Sequence, residues 1–267
     1  MSLKVKDIVG IMEEYAPGRL KESYDNVGLM VGDSNCEVTR ILIALDCTLK
    51  VIEEATKCGC NLIITHHPLL FNKPESITMG TLQGKKIIEL IKNNINLYSS
   101  HTNLDSTPNG INEIIMRALG FNESNILETS PLNPQAGIGR IALMEGNITL
   151  EELIHKVKLK LNIGTLRYCG DEERIINKVA VINGSGEDYI EMAIKNGADC
   201  IITGDTTYHY VSDSNEEGIA IIDAGHFDTE WPAMKMVAER INKDLKQLGF
   251  TADILMSKST INPYKFK

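Results

Sequence analysis

No stretch of this sequence approaches the roughly 20 consecutive apolar residues that a membrane-spanning helix needs, which excludes a span of that kind. Positive charge is scarce as well: 27 Lys and Arg face 36 Asp and Glu, for a formal net charge of -9, and no basic run stands out. Holding nucleic acid through its phosphates takes clustered Lys and Arg, so this balance argues against such a partner. Cys-x-x-Cys pairs are missing, and the six cysteines (Cys36, Cys47, Cys58, Cys60, Cys169, Cys200) have mostly apolar neighbours. Buried, reduced thiols are expected from that pattern, rather than disulfides or a thiolate metal site. Also missing are a Ser-His-Asp order, a nucleophile elbow, a Walker A lysine and a dinucleotide fingerprint, and with them the usual signatures of covalent hydrolases and of phosphate-loop or dinucleotide binding. The N-terminal MSLKVKDIVGIMEEYAP breaks its apolar residues with charge, so it reads as an amphipathic helix rather than a signal peptide, and a cytoplasmic location is expected.

What the sequence does contain is a duplication. The segment from Arg40, RILIALDCTLKVIEEATKCGCNLIITHHP, aligns without gaps to KVAVINGSGEDYIEMAIKNGADCIITGDT from Lys178, at an offset of 138 residues. Between Ile41 to Thr65 and Val179 to Thr203, eight of 25 positions are identical, where chance gives roughly one or two. Each copy reads as a short apolar strand, a helix closed by Gly59 or Gly197, and a second apolar strand ending at Thr65 or Thr203. That is a βαβ unit, which demands a parallel sheet with helices on its faces and gathers ligands beyond the carboxyl ends of its strands. The expected fold is therefore α/β: two related halves, each with a mostly parallel sheet flanked by helices, and a metal site in the cleft between them. We place the division near residue 130, giving residues 1–130 and 131–267, with the Pro- and Gly-rich SPLNPQAGIGR as linker and no inserted domain. After the linker, Thr149 and Glu152 have the spacing of a helix-starting capping box.

The residues that carry chemistry fall at these strand ends. His66 and His67 follow the second strand of the first copy. NLYSSHTNLD and IIDAGHFDTE align at an offset of 125 residues, so that His101 matches His226 and Asp105 matches Glu230. A histidine four residues before a carboxylate puts both on one face of a helical turn. Imidazole nitrogen mixed with carboxylate oxygen suits a borderline divalent ion, and zinc, iron and manganese all qualify. We assign His66, His67, Asp105, His226 and Glu230 as metal ligands for two ions per chain, with Asp105 or Glu230 able to bridge. His101 is a ligand, a proton shuttle or a supporting donor, because its half already supplies two histidines. Asp46, Asp205 and His209 also lie at or just past strand ends, where they line the cleft or serve ordinary turns. Two ions sharing a water point to hydrolysis at a carbonyl, phosphoryl or amidine centre. Gly184-Ser185-Gly186, between a strand and a helix, is a weaker candidate for an anion-binding turn, and His155 reads as solvated surface.

These residues lie in motifs that match a known family. YDNVGLMVGD from Tyr24, ALD ending at Asp46, ITHHPLLF from Ile64, SHTNLD from Ser100, GIGR from Gly137, ITGDTTYH from Ile202 and DAGHFDTE from Asp223 span nearly the whole chain. Through them it resembles the NGG-interacting-factor-three-like proteins, whose bacterial members are carried as GTP cyclohydrolase I type 2 homologues and described as dinuclear metal centre proteins. The resemblance implies His67 and Asp105 on one ion, His66 and His226 on the other, Glu230 bridging and His101 beside the site. It further implies a toroidal homohexamer, a trimer of dimers. Two positions depart from the family pattern: Tyr24 replaces a common tryptophan, and Glu187 interrupts a glycine and serine run. The expected function is a metal-dependent hydrolase acting on a nucleotide or related heterocycle. The alternative is a non-catalytic, ring-shaped metal-binding scaffold for partner proteins.

Overall fold

The computed structural model describes residues 2–267. The first part of the chain forms α1 (Val5–Tyr15), β1 (Gly28–Val31), β2 (Arg40–Ala44), α2 (Leu49–Cys58), β3 (Leu62–Thr65), α3 (Leu82–Lys92), β4 (Asn96–Ser99) and α4 (Thr102–Ser106). Then follow α5 (Ile111–Ala118), β5 (Asn125–Ser130), β6 (Asn133–Thr149), α6 (Leu150–Leu161), β7 (Arg167–Cys169), β8 (Ile175–Ser185) and α7 (Ile190–Lys195). The chain ends with β9 (Cys200–Gly204), α8 (Tyr208–Glu216), β10 (Ala220–Asp223), α9 (His226–Gln247) and β11 (Asp253–Met256). Among the described residues, no helix is long and apolar enough to cross a membrane.

The strands β3, β4, β9 and β10 are buried at every position. Continuous apolar runs such as LIIT form strands of this kind because both faces of a parallel sheet are covered by helices. Caps fix the helix ends. Thr48 accepts a hydrogen bond from the Val51 amide at 3.2 Å to start α2, which closes at Gly59 with φ 67°. Thr149 and Glu152 form the expected reciprocal box at the start of α6.

Two compact units result. One comprises residues 2–104 and Met234–Pro263; its sheet has the order β1-β4-β3-β2-β11, parallel except for β1. Leu42, Ile63 and Leu97 pack there against Val51 and Ala55 of α2 and Leu90 of α3. The other comprises Asp105–Ala233 and Tyr264–Lys267, with a mixed sheet in the order β5-β6-β8-β9-β10-β7. Here β8, β9 and β10 run parallel, while β5, β6 and β7 pair antiparallel. The duplicated pattern is thus β2, β3, β4 in one sheet and β8, β9, β10 in the other. In each sheet an antiparallel strand, β1 or β7, closes the third.

Several expectations need correction. SPLNPQAGIGR is no linker: from Asn133 it is the start of β6, paired with β5 through a register shift at Thr129 and Ser130. Its glycines serve close pairing rather than chain freedom, since a Cβ at Gly137 would meet the Glu128 carbonyl oxygen at 2.0 Å. The unit boundary also falls elsewhere than residue 130: α5 packs on β6 and β8, while β11 returns to pair with β2. The helix α9 begins at His226 and carries Pro232 inside it, so His226 and Glu230 do share a helical turn. The cysteines form no disulfides; Cys47, Cys60 and Cys200 are buried and the others partly so. Burial pushes the Cys60 thiol up to about 11, which removes it as a nucleophile or ready metal ligand.

Candidate metal centre

In the first unit, β3 and β4 end side by side. Thr65 and Ser99 are register partners whose hydroxyls lie 2.8 Å apart, and the ladder continues with the Ser100 amide donating to the Thr65 carbonyl at 3.0 Å. His66, His67 and His101 are therefore set at adjacent strand ends. One ring nitrogen of each lies within 4.8 Å of those of the other two. His66 is fully buried, with Nδ1 2.8 Å from the Ser100 carbonyl oxygen. A carbonyl can only accept, so the ring proton sits on Nδ1 and the lone pair on Nε2. His67 Nδ1 is 2.8 Å from Asp46, and His101 Nδ1 is 2.9 Å from Asp25. Nδ1 is thus the anchored nitrogen of all three rings and Nε2 the one that could meet a metal ion or carry a proton, the arrangement that orients metal-binding imidazoles.

Asp25 is a site residue that sequence reasoning overlooked. Its side chain is wholly buried and also accepts from the Thr102 amide at 3.1 Å, the Thr102 hydroxyl at 2.5 Å and the Asn26 amide at 2.7 Å. Burial alone raises a carboxyl pKa, but the His101 and Thr102 contacts outweigh it and hold Asp25 well below the usual carboxylate range. A depressed carboxyl stabilises the fold above its unfolded value of about 3.9, and that contribution is lost as pH falls through the lower folded value. Asp25→Asn should therefore cost about 1–3 kcal/mol at pH 7, with the gap narrowing below about pH 4. Denaturant titrations at pH 7 and pH 3 check this; an equal gap at both would contradict it.

The second unit holds the carboxylates. Asp105 and Glu230, both buried, accept from the same amide: Asn183 Nδ2 donates to Asp105 Oδ1 at 2.9 Å and to Glu230 Oε1 at 3.0 Å. The Asn183 backbone amide is itself fixed by Asn112 at 2.9 Å. His226 and Glu230 lie on the first turn of α9, with His226 Nδ1 2.8 Å from Asp205 and Nε2 3.2 Å from Glu230 Oε2. The helix can approach this closely because β8 has Gly184 there, at φ 60°: a Cβ would lie 2.4 Å from Glu230 Oε1. With Nδ1 donating to Asp205, the Nε2 lone pair and a carboxylate oxygen face each other at 3.2 Å. Such a pair needs a proton or cation between its members. The donor set, nitrogen and oxygen without sulfur, fits a borderline divalent metal.

A family model described as Duf34/NIF3 (NGG1p interacting factor 3) matches residues 3–263. The chain belongs to the DUF34/NIF3 family. It is 56% identical to a Clostridium acetobutylicum protein named GTP cyclohydrolase 1 type 2 homolog, with all of both chains covered. A Clostridium perfringens protein of the same name is 50% identical, over 99% of this chain and all of that one. Among solved structures, a Staphylococcus aureus hypothetical protein superposes with TM-score 0.93 at 30% identity over the whole of both chains. Reduced HcgD from Methanocaldococcus jannaschii gives TM-score 0.82 at 31% identity, covering 97% of this chain and 99% of that one.

Within this DUF34/NIF3 chain the predicted residues fall into two sets. His66, His67 and His101 converge in the first unit, with Asp46 holding His67. Asp105, His226 and Glu230 converge in the second through Asn183, with Asp205 holding His226. His209 joins neither set: it is exposed on α8, its ring 5.4 Å from that of Tyr208. His155 is likewise exposed. The Gly184-Ser185-Gly186 turn is not an anion cradle, because β8 runs through to Ser185 and the Glu230 carboxylate lies against Gly184. Asn183 was also missed. It ends the apolar run KVAVIN, where a lone polar residue gives no signal by itself.

Proposed function

We propose that this DUF34/NIF3 protein is a cytoplasmic two-metal hydrolase acting on a nucleotide or related heterocycle. The reading rests on one observation above others: His66, His67, His101 and His226 each have Nδ1 within 2.9 Å of a carboxylate or carbonyl oxygen. Surface or core histidines have no need of such uniform anchoring, whereas metal ligands do. His67 and Asp105 would hold one ion, His66 and His226 the other, with Glu230 shared, as the family pattern has it. Two such ions supply a water deprotonated near neutral pH and a positive charge for the developing negative charge. The chain's own part is to keep the donors in place. Asp46 and Asp205 fix two imidazoles, and Asn183 orients both carboxylates by donating to one oxygen of each. His101, braced by Asp25, is the group able to hold a proton at Nε2. The name shared by the clostridial relatives supports a guanine nucleotide as the first substrate to try.

Native mass spectrometry of protein from its own host tests the ion count and the homohexamer together: about two ions per chain and six chains per assembly are expected. One ion or fewer per chain would sink the dinuclear reading. Formate release from GTP, absent after chelation, would establish the cyclohydrolase reaction. Full metal occupancy with no turnover of any nucleotide would instead support the scaffold reading.

A further inference from the structure

In the second unit, β7, β10, the β9–α8 loop and α8 line a cavity of about 400 Å³. That is within the range of small-molecule sites. Asp223 fixes one wall: its carboxylate accepts from the Thr206 amide at 3.1 Å and hydroxyl at 2.7 Å, and pairs with Arg167 Nη2. The same Nη2 donates to the Thr206 carbonyl at 3.2 Å. Nε and Nη1 of Arg167 make no hydrogen bond among the described residues, and the side chain is 70% exposed. The side chains of Thr207, Tyr208, Ser212 and Asn215, all lining the cavity, are uncommitted in the same sense.

The cavity thus offers two guanidinium N–H groups and four polar groups able to donate, while the one carboxylate of its lining, Asp223, is paired with Arg167, and Glu187 reaches the Thr207 amide from outside that lining. In a chain of net charge -9 this is a local exception. Nε and Nη1 lie on different edges of the guanidinium, and each offers a charge-assisted N–H to a phosphate oxygen that a neutral ring cannot exploit. The rings of Tyr168 and Tyr208 add flat apolar surface beside it. Position strengthens the case: Thr206 follows Asp205, the residue that holds His226, and Asp223 lies three residues before His226.

We propose that this cavity binds the phosphate of a nucleoside phosphate, anchoring the substrate beside the candidate metal ligands through Arg167, Ser212, Thr207 and Tyr208. The substrate class rests on the nucleotide reading above, but binding at the cavity is measurable without turnover, so the two can fail separately.

Calorimetric titration of the protein as purified, with GMP and with guanosine as probes, tests this. GMP should bind at least roughly tenfold more tightly than guanosine, since a charge-assisted phosphate contact is lost in the nucleoside. Arg167→Gln and Ser212→Asp should each weaken GMP roughly tenfold or more at unchanged metal content, the second by repulsion and without touching Asp223. Equal binding of GMP and guanosine, no GMP binding at all, or parent-like binding in Ser212→Asp would overturn the proposal. The last holds even if Arg167→Gln binds weakly, because the arginine would then act only through Asp223. Loss of GMP binding in both variants, in a protein that hydrolyses no nucleotide, would leave the cavity assigned and the hydrolase reading refuted.

Discussion

Glu230→Gln is expected to raise the melting temperature of the metal-free protein and to abolish the stabilisation that added zinc or manganese gives the parent. Without a cation, Glu230 and Asp105 are two buried carboxylates drawn to one amide of Asn183, and like charges so placed destabilise each other. Glutamine keeps the Oε1 acceptor for Asn183. It also puts an N–H donor where Glu230 Oε2 now faces His226 Nε2 at 3.2 Å, turning an opposed pair into a hydrogen bond. The metal-bound state changes in the other direction. A bound ion stabilises by about 2.7 kcal/mol at a hundred times its Kd, or roughly 5–10 °C in a domain pair of this size. An amide in place of the carboxylate proposed as shared forfeits that gain. Thermal scans of parent and variant, with chelator and with metal, read both effects. A variant that melts below the parent in chelator, or that keeps the metal-induced shift, contradicts the assignment of Glu230.

The second large effect is expected from Gly184→Ala. Alanine at φ 60° costs about 1–2 kcal/mol in backbone strain alone, and its Cβ would stand 2.4 Å from Glu230 Oε1 and 3.3 Å from His226 Nε2. Relief requires the first turn of α9 to move, which takes both candidate ligands with it. A loss of about 2 kcal/mol or more, roughly 4–8 °C in melting temperature, should accompany loss of bound metal by elemental analysis. Gly146→Ala separates strain from crowding. Gly146 has φ 85° with nothing within 4 Å of a Cβ, so that variant should lose a little stability and keep its metal. Equal metal content in the two variants would show that Gly184 does not shape the site.

Much of this was legible in the sequence because it is local. Apolar runs without alternation mark buried parallel strands, Gly59 and Thr149 mark helix ends, and a duplicated βαβ unit places His66, His67, His101 and His226 at strand ends by repetition alone. What escaped depends on residues far apart in the chain. Asp25 lies 76 residues from His101 in an irregular segment with no period to give it away, and Asn183 meets Asp105 across 78. Pro134 and Gly137 read as a linker because a strand that tolerates a proline near its start and needs a glycine against its neighbour looks, residue by residue, like a loop. The carboxylate anchor of Arg167 was hidden for the same reason as Asp25, whereas Asp46 and Asp205 stood at strand ends and could be named, though not which histidine each reaches.

The place of β11 carries a consequence for how this protein is made. Asp253–Met256 pairs in parallel with β2, more than two hundred residues upstream, and the unit containing that sheet is completed by Met234–Pro263. The intervening Asp105–Ala233 unit owns all six strands of its own sheet and is, but for four terminal residues, contiguous. During synthesis from the N-terminus, the middle of the polypeptide can close before the beginning does. The segment bearing His66, His67 and His101 emerges first, yet its sheet stays one edge short until Asp253–Met256 has been made.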